Sequence, residues 1–179
     1  EAIPVSYTEK IKQVDGVVEA VATTWFGGYY NEPSNFVLAY ATDFEDYLKV
    51  FPEFTFPAGQ KEACIADQTG LMVGKALADQ YGWELGENVA LSSNAHFDRD
   101  GQNDWFFKVC GIFDDPSGDG VTFQALMQYD YLNAGRSNGQ DQISVVTLKL
   151  DNVENADAIG QRVDRLFENS SFRTSTVSE

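Results

Sequence analysis

The chain has 179 residues, of which 43% are hydrophobic, and this length suits one large domain or two small subdomains that share a core. Acidic residues number 28 and basic residues 12, so the formal net charge of −16 argues against binding to nucleic acid or to anionic lipid headgroups. The acidity indicates a highly soluble surface, and the alternative is a face that binds cations or basic ligands. The sequence has no apolar run of about 18 residues, so none of its segments is predicted to span a membrane.

The first part of the chain predicts a helix followed by strands. The elements are a helix over 6–15, a strand over 17–25, a loop over 27–33, a strand over 36–41 and a short helix that begins after Asp43. Ser6 and Glu9 have the spacing of a capping box, and Gly16 is a natural helix terminator. The strand over 17–25 is predicted from its β-branched and apolar residues.

The middle of the chain predicts a mixed region. Its elements are a proline-bounded connection over 51–57, a short strand over 64–66, a helix over 71–81, a hairpin of strands 89–91 and 105–113, a turn over 114–120, a strand over 123–127 and a helical turn over 129–133. Gly82 is expected to end the helix in a left-handed conformation. Asp100 and Gly101 give the hairpin its turn signal.

The last part predicts a strand over 143–150, a helix over 153–169 and a final strand over 172–177. The two ends of the chain therefore follow the patterns α-β-β and β-α-β, and they can form one α/β layer. We expect an α+β fold with two subdomains. One consists of residues 1–50 plus 141–179, and the other is an insertion over 51–140.

The sequence contains no set of residues that indicates catalysis. His96, the one histidine, lies in a polar limb of the hairpin and is expected to be an exposed loop residue. Alignment of Gly101 with the glycine of a calcium-binding EF-hand loop puts His96 and Phe107 at ligand positions, where both are unsuitable. Any particular pair of carboxylates is uninformative in so acidic a chain. We therefore predict no catalytic, cofactor-binding or metal-binding residues, no cofactor and no enzymatic activity.

Cys64 and Cys110 do not fit the spacing of a metal site. Both lie in apolar runs, which favours two buried free cysteines that act as small hydrophobic residues. The alternative is a disulfide, which an oxidising compartment permits.

Two groups of aromatic residues follow the first two predicted strands. They are Trp25, Phe26, Tyr29 and Tyr30 in the first group and Phe51, Phe54 and Phe56 in the second. We interpret them as core residues, and the alternative is an exposed apolar patch that binds a partner.

Several short motifs, in order along nearly the whole chain, resemble the MacB/FtsX-type periplasmic domain of ABC transporter permeases. The helix motif of that family corresponds to Val73, Gly74, Leu77, Ala78 and Gly82. Its two strand motifs correspond to Gly86, Glu87, Val89 and Leu91 and to Phe107, Val109, Gly111 and Ile112. Its entry segment resembles residues 11–17, its aspartate–tyrosine–proline stretch resembles Asp43, Tyr47 and Pro52, and its closing helix resembles residues 158–167.

The resemblance implies a domain on the outer side of a bacterial inner membrane, between the first and second transmembrane helices of a permease. It implies a porter-like subdomain with an inserted sabre-like subdomain, which agrees with the division at 50 and 140. The implied partners are a cytoplasmic ABC ATPase reached through the full-length permease, a second permease copy, and a periplasmic adaptor or substrate protein. The permease would relay ATP-driven conformational change across the membrane. The flanking helices are absent from this chain, so we expect an excised domain.

Two other functions stay open on the sequence. An extracytoplasmic ligand-binding sensor domain would have a concave pocket with converging polar groups. A secreted hydrolase would have a cleft with two carboxylates, one of them with a raised pKa.

Overall fold

A computed structural model describes residues 2–118 and 121–178 of the chain. Within these residues the chain forms a mixed α+β fold, as predicted. The helices are α1 (Tyr7–Lys12), α2 (Phe44–Val50), α3 (Gln60–Ala66), α4 (Lys75–Tyr81), α5 (Tyr129–Gly135) and α6 (Ala156–Phe167). The strands are β1 (Ile3–Pro4), β2 (Val17–Trp25), β3 (Gly28–Tyr29), β4 (Phe36–Thr42), β5 (Gly70–Gly74), β6 (Asn88–Ser93), β7 (Asp104–Phe113), β8 (Gln124–Gln128), β9 (Gln142–Ile143) and β10 (Val145–Leu150).

Eight strands form one sheet in the order β10-β2-β4-β3-β6-β7-β5-β8. Strand β8 also pairs with β4, so the six strands from β4 to β8 in that order close into a ring. The closing pair is parallel and runs from Leu38 opposite Gln124 to Thr42 opposite Gln128. Closure pairs both edges of these strands. Of the eight strands, β2 and β10 lie outside the ring, and β1 and β9 form a separate two-stranded sheet.

The core has three clusters, which we name by their position. The ring cluster lies on one face of the ring strands and includes Phe26, Val37, Leu71, Val73, Leu91, Trp105, Phe107 and Met127. The cross-linked cluster packs α2 and α3 against the other face and includes Phe44, Tyr47, Phe54, Cys64, Met72, Cys110, Phe113 and Leu126. The terminal cluster joins α1, α6 and β2 and consists of Tyr7, Ile11, Ala20, Val163 and Phe167.

Strand β5 corrects the helix predicted over 71–81, which begins only at Lys75. Leu71 and Val73 lie in the ring cluster, whereas Met72 lies in the cross-linked cluster. Because the strand is covered on both faces, its sequence is apolar throughout and lacks the alternation that would distinguish it from a helix. A Cβ at Gly74 would overlap the carbonyl group of Thr122, so the chain can pass there only with glycine.

Three further predictions were wrong. Residues 64–66 are the end of helix α3, since an apolar run this short does not distinguish a strand from a helix. Residues 172–177 form no regular element. The predicted loop over 27–33 contains the short strand β3. The predicted turn over 114–120 ends in two residues, 119 and 120, that lie outside the described part of the chain.

The remaining predicted elements are confirmed, with shifts of one to three residues at most of their ends, except the strand over 143–150. That strand is divided at Ser144 into β9, which pairs with β1, and β10, which pairs with β2. Asp43 caps α2 by accepting a hydrogen bond from the backbone N–H of Asp46 at 2.9 Å. Gly82 ends α4 in the left-handed conformation with φ +68°. Ser6 precedes α1, but its side chain makes no capping hydrogen bond. The division at 50 and 140 stays a prediction, and strands from both stretches pair in the one sheet.

The expectation of two free cysteines was wrong, because Cys64 on α3 and Cys110 on β7 form a disulfide. Cys64 is fully buried and Cys110 is 7% exposed. The next residue, Gly111, would place a Cβ 3.0 Å from the Cys64 Sγ atom and 3.3 Å from the Phe56 ring. Glycine at this position therefore lets α3 and its sulfur approach the strand.

Candidate functional site

His96 is not the freely exposed loop residue that the sequence predicts. It is partly buried, and its Nε2 atom lies 2.8 Å from the carbonyl oxygen of Trp25. Because a carbonyl group only accepts hydrogen bonds, this contact assigns the proton to Nε2. Burial lowers the pKa of His96, so the neutral ring is favoured. The contact holds the hairpin limb against the end of β2, which is a structural role.

Most of the predicted aromatic groups belong to the core. Phe26 is fully buried and Phe54 is 7% exposed. Tyr30 packs edge-on against Tyr81 and Trp83, with ring centroids 5.0 and 5.1 Å away. Trp25 is the exception in its group, with 44% of its surface exposed. The core interpretation therefore accounts for these residues, apart from Trp25 and the half-buried Tyr29, which belongs to none of the three clusters.

A group of polar side chains surrounds a cleft at the carboxyl ends of β4 and β8. Because these strands are parallel, the residues that follow them, Asp43 and Tyr129, come to the same edge of the sheet. Helices α2 and α5 begin there, and α1 forms the third wall. The cleft has a volume of about 400 Å³. We call it the acidic cleft, after the five carboxylates that line it: Glu9, Asp43, Asp46, Asp130 and Asp141.

Lys12 is the cation that lies nearest to this group. Its Nζ atom lies 2.7 Å from Asp46 and 3.0 Å from Glu9. Burial by itself lowers the pKa of Lys12, but the hydrogen bonds and charges of Asp46 and Glu9 outweigh it, and the pKa is raised. The Lys49 Nζ atom also lies 3.6 Å from Asp46, so five carboxylates and two ammonium groups leave a formal charge of −3 at the cleft. The cleft is therefore strongly acidic even with both lysines in place.

One wall of the cleft is fixed by a hydrogen-bond network behind it. Arg136, which is 2% exposed, donates to the Asn133 Oδ1 atom at 2.9 Å and to the carbonyl oxygen of Gln142 at 2.7 Å. The backbone N–H of Asp141 donates to the same Oδ1 atom, and Asn133 in turn donates to the Asp141 carboxylate at 2.9 Å. Burial lowers the pKa of Arg136. Asn133 and Asp141 are thus held in position at the cleft wall.

Thr8 lies on the opposite wall and has an unsatisfied hydroxyl group. It is 7% exposed, and its buried Oγ1 atom has no hydrogen-bond partner. A second cavity of about 320 Å³ adjoins the cleft and shares Asp43, Gln128 and Asp130 with it.

The geometry does not favour a metal site. In residues 2–118 and 121–178, no group of three or more histidine, cysteine, aspartate or glutamate side chains is close enough to hold a metal ion. The cleft carboxylates are spread along its walls, with Asp43 capping α2 and both Glu9 and Asp46 paired with Lys12. What the arrangement offers chemically is a negative potential and hydrogen-bond acceptors.

The sequence did not predict the acidic cleft. Asp43 and Asp130 each follow a predicted strand closely, and this was the available signal. These positions do not by themselves indicate a shared site, because Leu38 and Gln124 are 86 positions apart in the chain. Only the parallel pairing of β4 with β8 brings the two strand ends together.

None of the described helices is long and apolar enough to cross a membrane.

A protein-family model and several solved structures match most of the chain. The family model of the MacB-like periplasmic core domain matches residues 1–166. No curated protein matches the sequence.

Among solved structures, the extracellular domain of the noncanonic ABC-type transporter YknZ from Gram-positive bacteria is 16% identical, with a TM-score of 0.66 over 97% of this chain and 87% of that one. The periplasmic region of MacB from Actinobacillus actinomycetemcomitans is 12% identical, with a TM-score of 0.62 over 93% of this chain and 73% of that one. A domain of a putative permease protein from Porphyromonas gingivalis is 15% identical, with a TM-score of 0.57 over 91% of this chain and 69% of that one. These similarities establish a common fold.

Proposed function

This chain belongs to the family of MacB-like periplasmic core domains, and from that premise we propose that it relays ATP-driven conformational change in an ABC transporter permease. The domain lies on the periplasmic side of a bacterial inner membrane. In the proposed complex, a cytoplasmic ABC ATPase hydrolyses ATP and a second permease copy completes a dimer. A periplasmic adaptor or a substrate protein is the proposed partner on the outer side. The domain itself needs no catalytic residues for this role.

The observation that carries the proposal is the terminal cluster. Helices α1 and α6 come from opposite ends of the chain, and Tyr7 stacks on Phe167 with ring centroids 3.8 Å apart. The Tyr7 hydroxyl also donates to the Ser170 Oγ atom at 2.9 Å. In the proposed permease, one transmembrane helix precedes α1 and the next one follows α6. Motion of these two membrane helices would then reach the domain at one place.

The ring of strands supports movement as one body. Strands from the predicted porter-like and sabre-like subdomains pair in the same sheet, and β4 pairs with β8 over five residue positions. Packed sheets and helices move as units because their interiors are dense and deform little. A small displacement at α1 and α6 is therefore expected to shift the whole domain.

The first test is the parent reading frame. We expect one hydrophobic span before this segment and three after it, beside a gene for an ATPase. A kinase or cyclase domain downstream would instead favour the ligand-binding sensor. A parent without any flanking span would contradict both functions and would turn attention to a secreted protein.

The decisive test uses the full-length permease with its ATPase in lipid vesicles. A spin label at Asp157→Cys, an exposed position at the start of α6, reports the distance between the two permease copies. The disulfide leaves no free cysteine among the described residues, so within this domain the label attaches at the introduced site. We expect the distance to change by several ångströms between the nucleotide-free and ATP-trapped states. An unchanged distance during normal ATP turnover would overturn the relay.

A second label pair serves as the matched control. Glu84→Cys and Asp157→Cys in one protomer, diluted with unlabelled permease, measure a distance inside the domain between two exposed positions. Rigid-body motion predicts that this distance stays constant through the ATP cycle. A change in it would mean that the domain deforms internally.

A further inference from the structure

We propose that the acidic cleft binds the alkylammonium or guanidinium group of a basic ligand. This inference goes beyond the relay function, since it assigns a ligand chemistry to a particular site on the domain. Its first support is electrostatic. Five carboxylates line the cleft, two ammonium groups, Lys12 and Lys49, pair with them, and Asp130 in the first turn of α5 is exposed to solvent. A cleft lined by charges of one sign concentrates ions of the opposite sign.

The second support is the Thr8 hydroxyl, which is independent of the charges. Thr8 lines the cleft, and its buried Oγ1 atom has no hydrogen-bond partner, which is unfavourable for a polar group. A hydroxyl oxygen accepts hydrogen bonds from N–H donors. An ammonium or guanidinium group in the cleft would supply that donor. The same group would lie among the carboxylates.

The size and shape of the cleft select an organic cation over a metal ion. Its volume of about 400 Å³ falls within the range of small-ligand sites. The described carboxylates form no group of three that could coordinate a metal. Arg136, the buried cation nearby, is held behind Asn133 by its hydrogen bonds and is not among the wall residues. A ligand in the cleft would therefore meet hydrogen-bond acceptors.

The source of the cation is either a lysine or arginine side chain of a polypeptide or a small free amine. Two probes distinguish these sources in NMR titrations of the ¹⁵N-labelled chain. One is butylammonium chloride, and the other is the blocked tripeptide acetyl-Gly-Lys-Gly-amide. The same tripeptide with an acetylated lysine side chain is the neutral control. We expect saturable shifts of the amide signals of Thr8, Asp130 and Asn133 with both cationic probes and no such shifts with the neutral one.

Substitutions locate the site. We expect Asp130→Asn and Thr8→Val each to weaken binding about threefold, as loss of one partly exposed charge or one hydrogen bond does. Thr8→Ser keeps the hydroxyl and should keep the affinity, which separates the hydrogen bond from a packing defect. The matched control is Asp157→Asn, which removes an exposed carboxylate from the first turn of α6 and should leave binding unchanged.

The outcomes divide clearly. Tighter binding of the tripeptide supports a polypeptide ligand, and equal binding of the two cationic probes supports a small amine. Non-saturable shifts over the whole acidic surface would overturn the proposal. It would also be overturned by equal binding of the neutral tripeptide, or by an effect of Asp157→Asn as large as that of Asp130→Asn.

Discussion

The terminal cluster and the cross-linked cluster both join helices to the same sheet, but different forces hold them. Helix α6 has 12 residues and buries Ile159, Val163 and Phe167 along one side. Helix α3 has seven residues and buries Cys64 alone. The longer helix is therefore held by its own apolar stripe, whereas the shorter one is joined to β7 by a disulfide.

The difference shows how element length determines what a helix needs from its surroundings. A helix of two turns is unstable by itself, because nucleation costs more than its few hydrogen bonds return. Helix α3 also begins after Gly59, without a side-chain cap. A covalent bond to Cys110, a buried residue of β7, compensates for both weaknesses. Four experiments can break or sharpen this comparison.

The largest effect is expected from removal of the disulfide. The variant with Cys64→Ala and Cys110→Ala should lose about 4 kcal/mol of unfolding free energy, because the bond closes a loop of 46 residues in the unfolded chain. Denaturant unfolding measures the loss, and wild-type protein in reducing agent should match the variant. Hydrogen exchange should accelerate most in α3. Equal acceleration in α6 would mean that the two clusters are not separate.

In the terminal cluster, Phe167→Ala should cost about 3 kcal/mol, since the ring is 3% exposed and stacks on Tyr7. The neighbouring Leu166 is 51% exposed, so Leu166→Ala is the control and should cost below about 1 kcal/mol. Denaturant unfolding compares the two. Similar losses of unfolding free energy in the two variants would show that burial of Phe167 does not stabilise the terminal cluster.

The segment after α6 should depend on Asp164. Its carboxylate accepts hydrogen bonds from the Thr174 and Thr176 hydroxyls at 2.8 Å each. Asp164→Ala should cost about 1 kcal/mol and should mobilise residues 172–178 in NMR relaxation measurements. Thr174→Val, which removes one of these bonds, should have a smaller effect. A segment that stays ordered in both variants would rule out this attachment.

The smallest effect concerns the pH response of the cross-linked cluster. Burial raises the pKa of Tyr47 from 10.0 to about 12, so the folded state favours the neutral phenol. The stability from this preference is complete below pH 10 and is lost as the pH rises towards 12. At pH 10.5 the wild type should have lost about 0.8 kcal/mol more than Tyr47→Phe, relative to pH 8. Parallel pH profiles of the two proteins would refute the assignment.

Local patterns were sufficient for elements with a clear period or strong end signals. The amphipathic stripe of α6, the β-branched run of β2 and the capping aspartate of α2 each identified their element correctly. Prediction failed at β5 and α3 for opposite reasons. Strand β5 is buried on both faces and shows no alternation, and α3 is too short to show a period. The segment 172–177 is rich in threonine, which favoured a strand, but it joins no sheet. Its threonine hydroxyls instead donate hydrogen bonds to Asp164.

The sequence by itself determined the family, the α+β class and most elements, because these depend on residues close together in the chain. Only the tertiary structure decided that Cys64 reaches Cys110, since Gly111 permits the approach of α3 to β7. It also decided that β4 pairs with β8. That single pairing closes the ring and brings Asp43 and Asp130 into one cleft. Contacts between residues far apart in the chain depend on how the whole sheet packs, and short sequence patterns do not predict that packing.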